Sequence, residues 1–262
     1  MDWDAPAIIL SVRPFGEGDA LATVLTEAHG PHRGLAKGGA SRTKSGLWQP
    51  GNLAQVRWTG RLADQLGAFT AEMVHATAAR AMPDPLSLAV LASACAVADG
   101  AIPEREPQAR VFGELLHLLA TLDGAASLAP LIRWEAALLA DLGYGLDLTA
   151  CALSGATTGL AWVSPRTGRA VADAAAGPWR DRLLKLPALL LPGTNDTAGT
   201  PEAWRDGLRL TAHFLARDAF GHTHKPLPPA RLRLADRIDA LVAGLVAGLP
   251  DSRAGPFPGP PT

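Results

Sequence analysis

The sequence predicts an α+β protein: a small five-stranded barrel over residues 1–80, then a mainly helical domain over 81–250. Three observations carry that prediction. The apolar residues recur with partial period two before residue 80 and at three- and four-residue steps after it, and "MPDP", with two prolines, stands at the change. The chain has 262 residues, 48% of them hydrophobic, enough for one large domain or two smaller ones with a full core. A short return to strand-like pattern over 150–180 marks a small hairpin inserted among the helices.

Five strand candidates open the chain: "AIILSVRPF", "ALATVLTEA", "RGLAKG", "LAQVRWTG" and "QLGAFTAEMV". The turns between them are "GEGD", "GPH", "GGAS" and "QPGN", rich in the residues that reverse a chain. Five short strands at this spacing suit a closed barrel of OB type, and an SH3-like barrel fits the same pattern. In "GEGD", Asp19 is read as bonding the turn backbone and not as a metal ligand.

The helical part begins with "LSLAVLASACAVAD", apolar on nearly all sides and therefore central. In "QARVFGELLHLLATL", Phe112, Leu115, Leu116, Leu119 and Leu122 form an amphipathic stripe. "PLIRWEAALLADLGYG" repeats it with Leu131, Trp134, Leu138 and Leu142, Pro130 in the first turn and Gly143 or Gly145 as stop. Arg133 falls on the opposite side of that helix. Thr200 caps a further helix with Pro201 just inside, and Gly221 closes it. The last helix, "ARLRLADRIDALVAGLVAGL", is expected to bury Leu234, Ile238, Leu241 and Leu245. The tail 251–262, "DSRAGPFPGPPT", has too much Pro and Gly to fold and is expected to be disordered.

In the insertion, "LAWVS" and "RAV" flank the turn "PRTG". Cys151 has Ser154 where a second metal-binding cysteine would stand, and no other Cys or His lies nearby, so no metal is expected there. His222 and His224 in "GHTHKP" lack a third ligand along the chain and read as a polar loop. There is no phosphate-cradling glycine loop, no G-x-S-x-G elbow and no metalloprotease histidine pair, so neither enzymatic activity nor a cofactor is expected. Cys95, in an apolar run, reads as a reduced buried thiol. An acidic N-terminus and the lack of a long uncharged apolar run argue against a signal peptide and a membrane span, and the expected compartment is the cytoplasm.

Against a near-neutral total of 24 basic and 25 acidic residues, the window 28–63 holds six Lys or Arg and no Asp or Glu. Its cations are Arg33, Lys37, Arg42, Lys44, Arg57 and Arg61. On a barrel they are expected on or beside strands three and four and the loop between them, as one phosphate-attracting face. Gly38 and Gly39 would let the backbone approach a strand. Trp58 alternates with Val56 and reads as core; Trp48, beside the basic loop, is a candidate to stack a base. A second acid-free basic segment, "HKPLPPARLR", offers Lys225, Arg231 and Arg233.

The stretches "SVRPFGEGDALATVLTEAHG", "GLAKGGASRTKSGLWQPGN" and "RWEAALLADLGYGLDLTACALSG", in that order, resemble the RecO family of bacterial DNA repair and recombination mediators. The resemblance runs from about Ala7 to about Ile238 and includes "LPPARLRLADRI". It implies an N-terminal OB fold and binding of single- and double-stranded DNA. It also implies annealing of complementary strands and cooperation with RecR and the single-stranded-DNA-binding protein in loading RecA. Capture of that protein's acidic, apolar C-terminal tail is implied for the helical domain, with Arg133 as candidate rim cation. Many family members carry a four-cysteine zinc site where this chain keeps only Cys151, so the zinc role does not carry over and the region is a degenerate zinc finger. Two other readings use the same residues: an RNA-binding OB module, and a non-catalytic scaffold whose basic face meets an acidic protein.

Overall fold

The computed structural model describes residues 2–61, 66–194 and 198–247. The tail expected to be disordered over 251–262, the residues 248–250 expected to end the last helix, and Leu62 to Gln65 lie outside the described residues. Five strands come first: β1 (Asp2–Phe15), β2 (Asp19–Thr26), β3 (Gly30–Ala36), β4 (Leu53–Thr59) and β5 (Gly67–His75). They close into a barrel in the order β1-β2-β3-β5-β4. β3 meets β5 in parallel while the other pairs are antiparallel, which is the OB arrangement.

β1 makes closure feasible because one bent strand serves two neighbours. Its first half, Asp2 to Ile8, pairs with β4, and its second half, Ala7 to Phe15, pairs with β2 across a bulge between Ile9 and Ser11. The strand begins five residues earlier than the sequence suggests, since acids and a proline in "DWDAP" hide a strand whose side chains alternate outward. The run "AIIL" is buried on both faces. Ala7 and Ile9 point into the barrel beside Val24, Val56, Trp58 and Phe69. Ile8 and Leu10, with Leu25, join the core of the helical domain. A strand covered on both sides needs no polar alternation.

After the single turn α1 (Thr77–Ala81) come α2 (Pro85–Ala101), α3 (Ala109–Ala120) and α4 (Leu128–Asp141). Asp84 starts α2: its carboxylate accepts from Leu86 N at 3.1 Å and Ser87 N at 2.9 Å, ahead of Pro85 in the first turn. α2 is central, as its composition implies, and packs on β1 and the last helix. Arg80 closes the end of α3 by donating to Leu119 O and Ala120 O, both at 2.7 Å. Buried Asn52 ties the barrel to this layer, accepting from Ala78 N at 3.0 Å while donating to Gly46 O and Leu47 O.

The insertion holds β6 (Leu160–Val163) and β7 (Ala170–Ala172), the short helix α5 (Asp173–Ala176), and a third strand, β8 (Leu184–Lys185), which its two residues gave no means of reading. α6 (Pro201–Phe214) starts on Thr200, whose hydroxyl accepts from Ala203 N at 3.3 Å, and runs on as a π turn to Ala219. α7 (Pro229–Ala247) closes the bundle. Its buried stripe is Arg231, Leu234, Ile238 and Val242; Leu241 and Leu245, expected inside, are exposed. The helix is rotated from the expected orientation because Arg231 has a buried partner.

That partner is Glu135 of α4, and both side chains are fully buried. Arg231 donates from Nε to Glu135 Oε1 at 2.5 Å and from Nη2 to Oε2 at 3.0 Å, and also reaches Leu208 O at 2.8 Å. The Thr211 hydroxyl donates to the same carboxylate. One bidentate pair thus joins α4, α6 and α7, with its hydrogen-bonding capacity used by neighbours.

Candidate nucleic-acid interface

The barrel order corrects the expected single basic face. β3 and β4 are not neighbours, because β5 lies between them. Arg33 is exposed on β3, and Lys37, the residue after that strand, is exposed as well. The loop from Lys37 to Asn52 folds back on itself, so that Lys44 Nζ donates to Lys37 O at 3.3 Å. Arg42 is exposed near the tip of this loop. Arg57 lies elsewhere, on β4, with Asp4 opposite it in register and Asp2 paired to its guanidinium at 2.9 Å. The acid-free window was acid-free along the chain only, since β1 brings its acids alongside. Arg61 is exposed beyond the end of β4.

The loop is anchored by Asp19, which accepts from Gly38 N at 2.7 Å. Asp19 therefore bonds the backbone of the loop between β3 and β4 and not that of its own turn. Gly38 has φ +67, a conformation suited to glycine, and an added Cβ would meet only the Lys44 and Ser41 side chains, at 3.6 Å or more. Gly39 instead presses on the barrel, where an added Cβ would come within 2.9 Å of Ala36 O. Its smallness serves packing.

Two predicted site residues leave the set. Trp48 is 5% exposed, its ring stacked on Phe69 with centroids 6.1 Å apart, where it plugs the barrel interior and offers no face to a base. Arg231 is spent on Glu135. Of the second basic segment, Arg233 is exposed on the opposite side of α7 from the stripe, and Lys225 is exposed in the turn before α7. Trp58 is core, as read.

The fold adds a cation from outside the window. Arg13 of β1 and Arg33 of β3 line one small cavity with Ser11, Leu21, Thr23 and Asp99. Register explains the meeting: Ser11 pairs with Thr23, and Thr23 with Arg33, across β1-β2-β3. A search for contiguous charge misses Arg13; a search along β-sheet rows finds it. A larger cleft of about 380 Å³ opens between this face and the helices, and both Arg33 and Lys225 line it. The two basic segments, nearly two hundred residues apart, thus face one space. Arg13, Arg33, Lys37, Lys44 and Lys225 make no ion pair among the described residues. Exposed cations that make no ion pair remain available to a phosphate backbone.

Arg133, expected on a solvated side, is half-buried and donates from Nε to Leu189 O at 3.0 Å. It lines a groove of about 370 Å³ with Leu189, Leu190, Leu191 and Pro192, so a cation does border an apolar trough.

The fold defines an OB-barrel protein set on a helical domain, with free cations on the strand 2–3 face that OB folds use for oligonucleotides and oligosaccharides. Residues 1–77 match the family model described as Recombination protein O N terminal, and residues 82–227 match Recombination protein O C terminal. The chain belongs to the RecO family of DNA repair proteins. It is 59% identical over 250 residues to DNA repair protein RecO of Gluconacetobacter diazotrophicus, covering 93% of this chain and 98% of that one. Against DNA repair protein RecO of Granulibacter bethesdensis the identity is 58% over 243 residues, covering 92% and 97%. Against that of Acidiphilium cryptum it is 56% over 246 residues, covering 93% and 98%.

The zinc position of the family does not fit a metal here. Cys151 is buried, and its Sγ accepts from Ala172 N at 3.2 Å. That amide, then the Ser154 side chain and nearby backbone amides, hold the thiol down to about 6 against the opposing effect of burial. No group of three or more His, Cys, Asp or Glu able to hold a metal occurs among the described residues. Leu160, Val163, Val171 and Ala176 pack the unit instead, and Trp162 Nε1 donates to Asp173 Oδ1 at 2.8 Å. The purified protein is expected to contain no stoichiometric zinc, and a chelator is expected to leave its melting temperature unchanged. Metal analysis finding one zinc per chain, lost with stability on chelation, would contradict this.

Proposed function

We propose that the chain is a non-catalytic mediator that binds single- and double-stranded DNA, anneals complementary strands and helps load RecA onto DNA coated with the single-stranded-DNA-binding protein. RecR is its partner in this work, and the setting is the bacterial cytoplasm. No helix among the described residues is long and apolar enough to cross a membrane. The observation that carries the reading is the set of unpaired cations Arg13, Arg33, Lys37 and Lys44 beside one loop and one cleft, on a chain of this family. Cations on a barrel face draw a phosphate backbone and release its counterions whatever the base sequence, which suits a protein that must handle any broken DNA. Annealing and loading require holding and releasing strands, and neither requires bond cleavage.

Titration of labelled single-stranded DNA at two salt concentrations tests the reading: affinity should fall steeply with salt. Equal affinity at both concentrations, or tighter binding to RNA than to DNA of the same length, would overturn it.

The groove at Arg133 supports capture of the single-stranded-DNA-binding protein's acidic, apolar tail: the leucines receive its apolar residues, and the cation meets its carboxylates. Arg133→Ala is expected to weaken binding of a tail peptide about ten-fold, the usual loss for one charged hydrogen-bonding partner. Unchanged peptide affinity would remove this groove from the reading.

A further inference from the structure

The cleft between barrel and helices contains more than cations. Tyr144, just beyond α4, and His222, just beyond the π turn of α6, line it and stack with ring centroids 5.7 Å apart and planes 30° from parallel. Arg33 and Lys225 line the same space. So does Asp99, one of whose carboxylate oxygens, Oδ1, is buried with no hydrogen-bond partner. A volume of about 380 Å³ is in the range that encloses one small organic ligand.

We propose that this cleft seats one unpaired nucleotide of a single strand, its base stacked on the Tyr144 and His222 rings and its phosphates held by Arg33 and Lys225. The proposal rests on the DNA-binding reading above and adds to it a place where the base itself is gripped. Stacking accepts every base, because each has a π face, so the grip stays independent of sequence. A base pair within a duplex has both faces covered by its neighbours and cannot enter, so the cleft distinguishes single from double strands where the barrel face does not. The two rings come from two helix ends: Tyr144 follows α4, and His222 lies in the short turn Gly221–Thr223 after the π segment of α6.

The test uses the whole chain and fluorescence anisotropy with three labelled DNAs of equal length: an ordinary single strand, a wholly abasic strand and a duplex. Tyr144→Ala and His222→Ala are each expected to weaken binding to the ordinary single strand by about ten-fold. They should leave the abasic strand and the duplex bound as by the parent. Tyr144→Phe, which keeps the ring, should bind all three like the parent. His222 is exposed, so its variant guards against a loss of folding at Tyr144. The proposal fails if either alanine variant binds the ordinary strand as tightly as the parent does, or if the loss is equal on the abasic strand. A parent protein that binds none of the three DNAs would overturn the DNA-binding reading itself, and this proposal with it.

Discussion

Arg231→Met should destabilise the protein by about 3–5 kcal/mol, because it leaves the Glu135 carboxylate as an unpaired charge in a core closed to water. For a chain of this size that is a fall of roughly 10 °C in melting temperature. Breaking such a pair costs more than the pair contributes, since the remaining charge keeps its desolvation penalty and loses its compensation. The double change Glu135→Leu with Arg231→Met should therefore recover most of the loss, returning to within about 1 kcal/mol of the parent. Thr211 does not lose its place in the double variant, because its hydroxyl also reaches Gly207 O at 3.1 Å. Thermal melts of the three proteins decide the matter. A single variant that melts with the parent would mean that the pair is open to solvent, and a double variant as unstable as the single one would mean that packing and not charge is at stake.

Both partners of this pair stood in plain view in the sequence. Arg231 precedes Leu234 by three and Ile238 by seven, and Glu135 follows Leu131 by four and precedes Leu138 by three, so each lies on an apolar helical stripe. Opposite charges on two core stripes are a signal for a buried pair, yet the local basic context of "ARLR" assigned Arg231 to a surface. Periodicity was the stronger evidence there, since burial follows the helix face and not the neighbours in sequence.

The barrel shows the converse. Its five strands are legible because turn residues separate them and the apolar residues partly alternate. Which strand lies beside which is not, because pairing of β3 with β5 is a non-local choice made by closure. With β5 between them, β3 and β4 no longer share a face, and β4 instead lies against β1, which sets Arg57 beside Asp2; Arg13 reaches Arg33 through the β1-β2-β3 rows. Trp48 illustrates a third limit: a loop residue next to lysines is plugged into the barrel because Phe69, from a strand twenty residues later, presents a ring for it to cover.

Changing Arg33, Lys37, Arg42 and Lys44 together to Ala should reduce single-stranded DNA affinity by about two to three orders of magnitude near 0.1 M salt, if each meets one phosphate. The estimate comes from counterion release, in which each contact on a single strand contributes about 0.7 to the slope of log affinity against log salt. The slope should therefore become shallower by roughly 3. Folding should survive, because all four side chains are exposed and such changes usually alter stability by about half a kcal/mol each at most. Arg57→Ala serves as the internal control: its guanidinium already faces Asp2 at 2.9 Å, so its removal should change neither affinity nor slope appreciably. Strand annealing should fall with the quadruple variant and not with the control. A quadruple variant that loses affinity with its slope intact would place the contact in ring stacking and not in these cations. One that keeps full affinity would move the phosphate path to Lys225 and Arg233, and the barrel face would no longer carry the function.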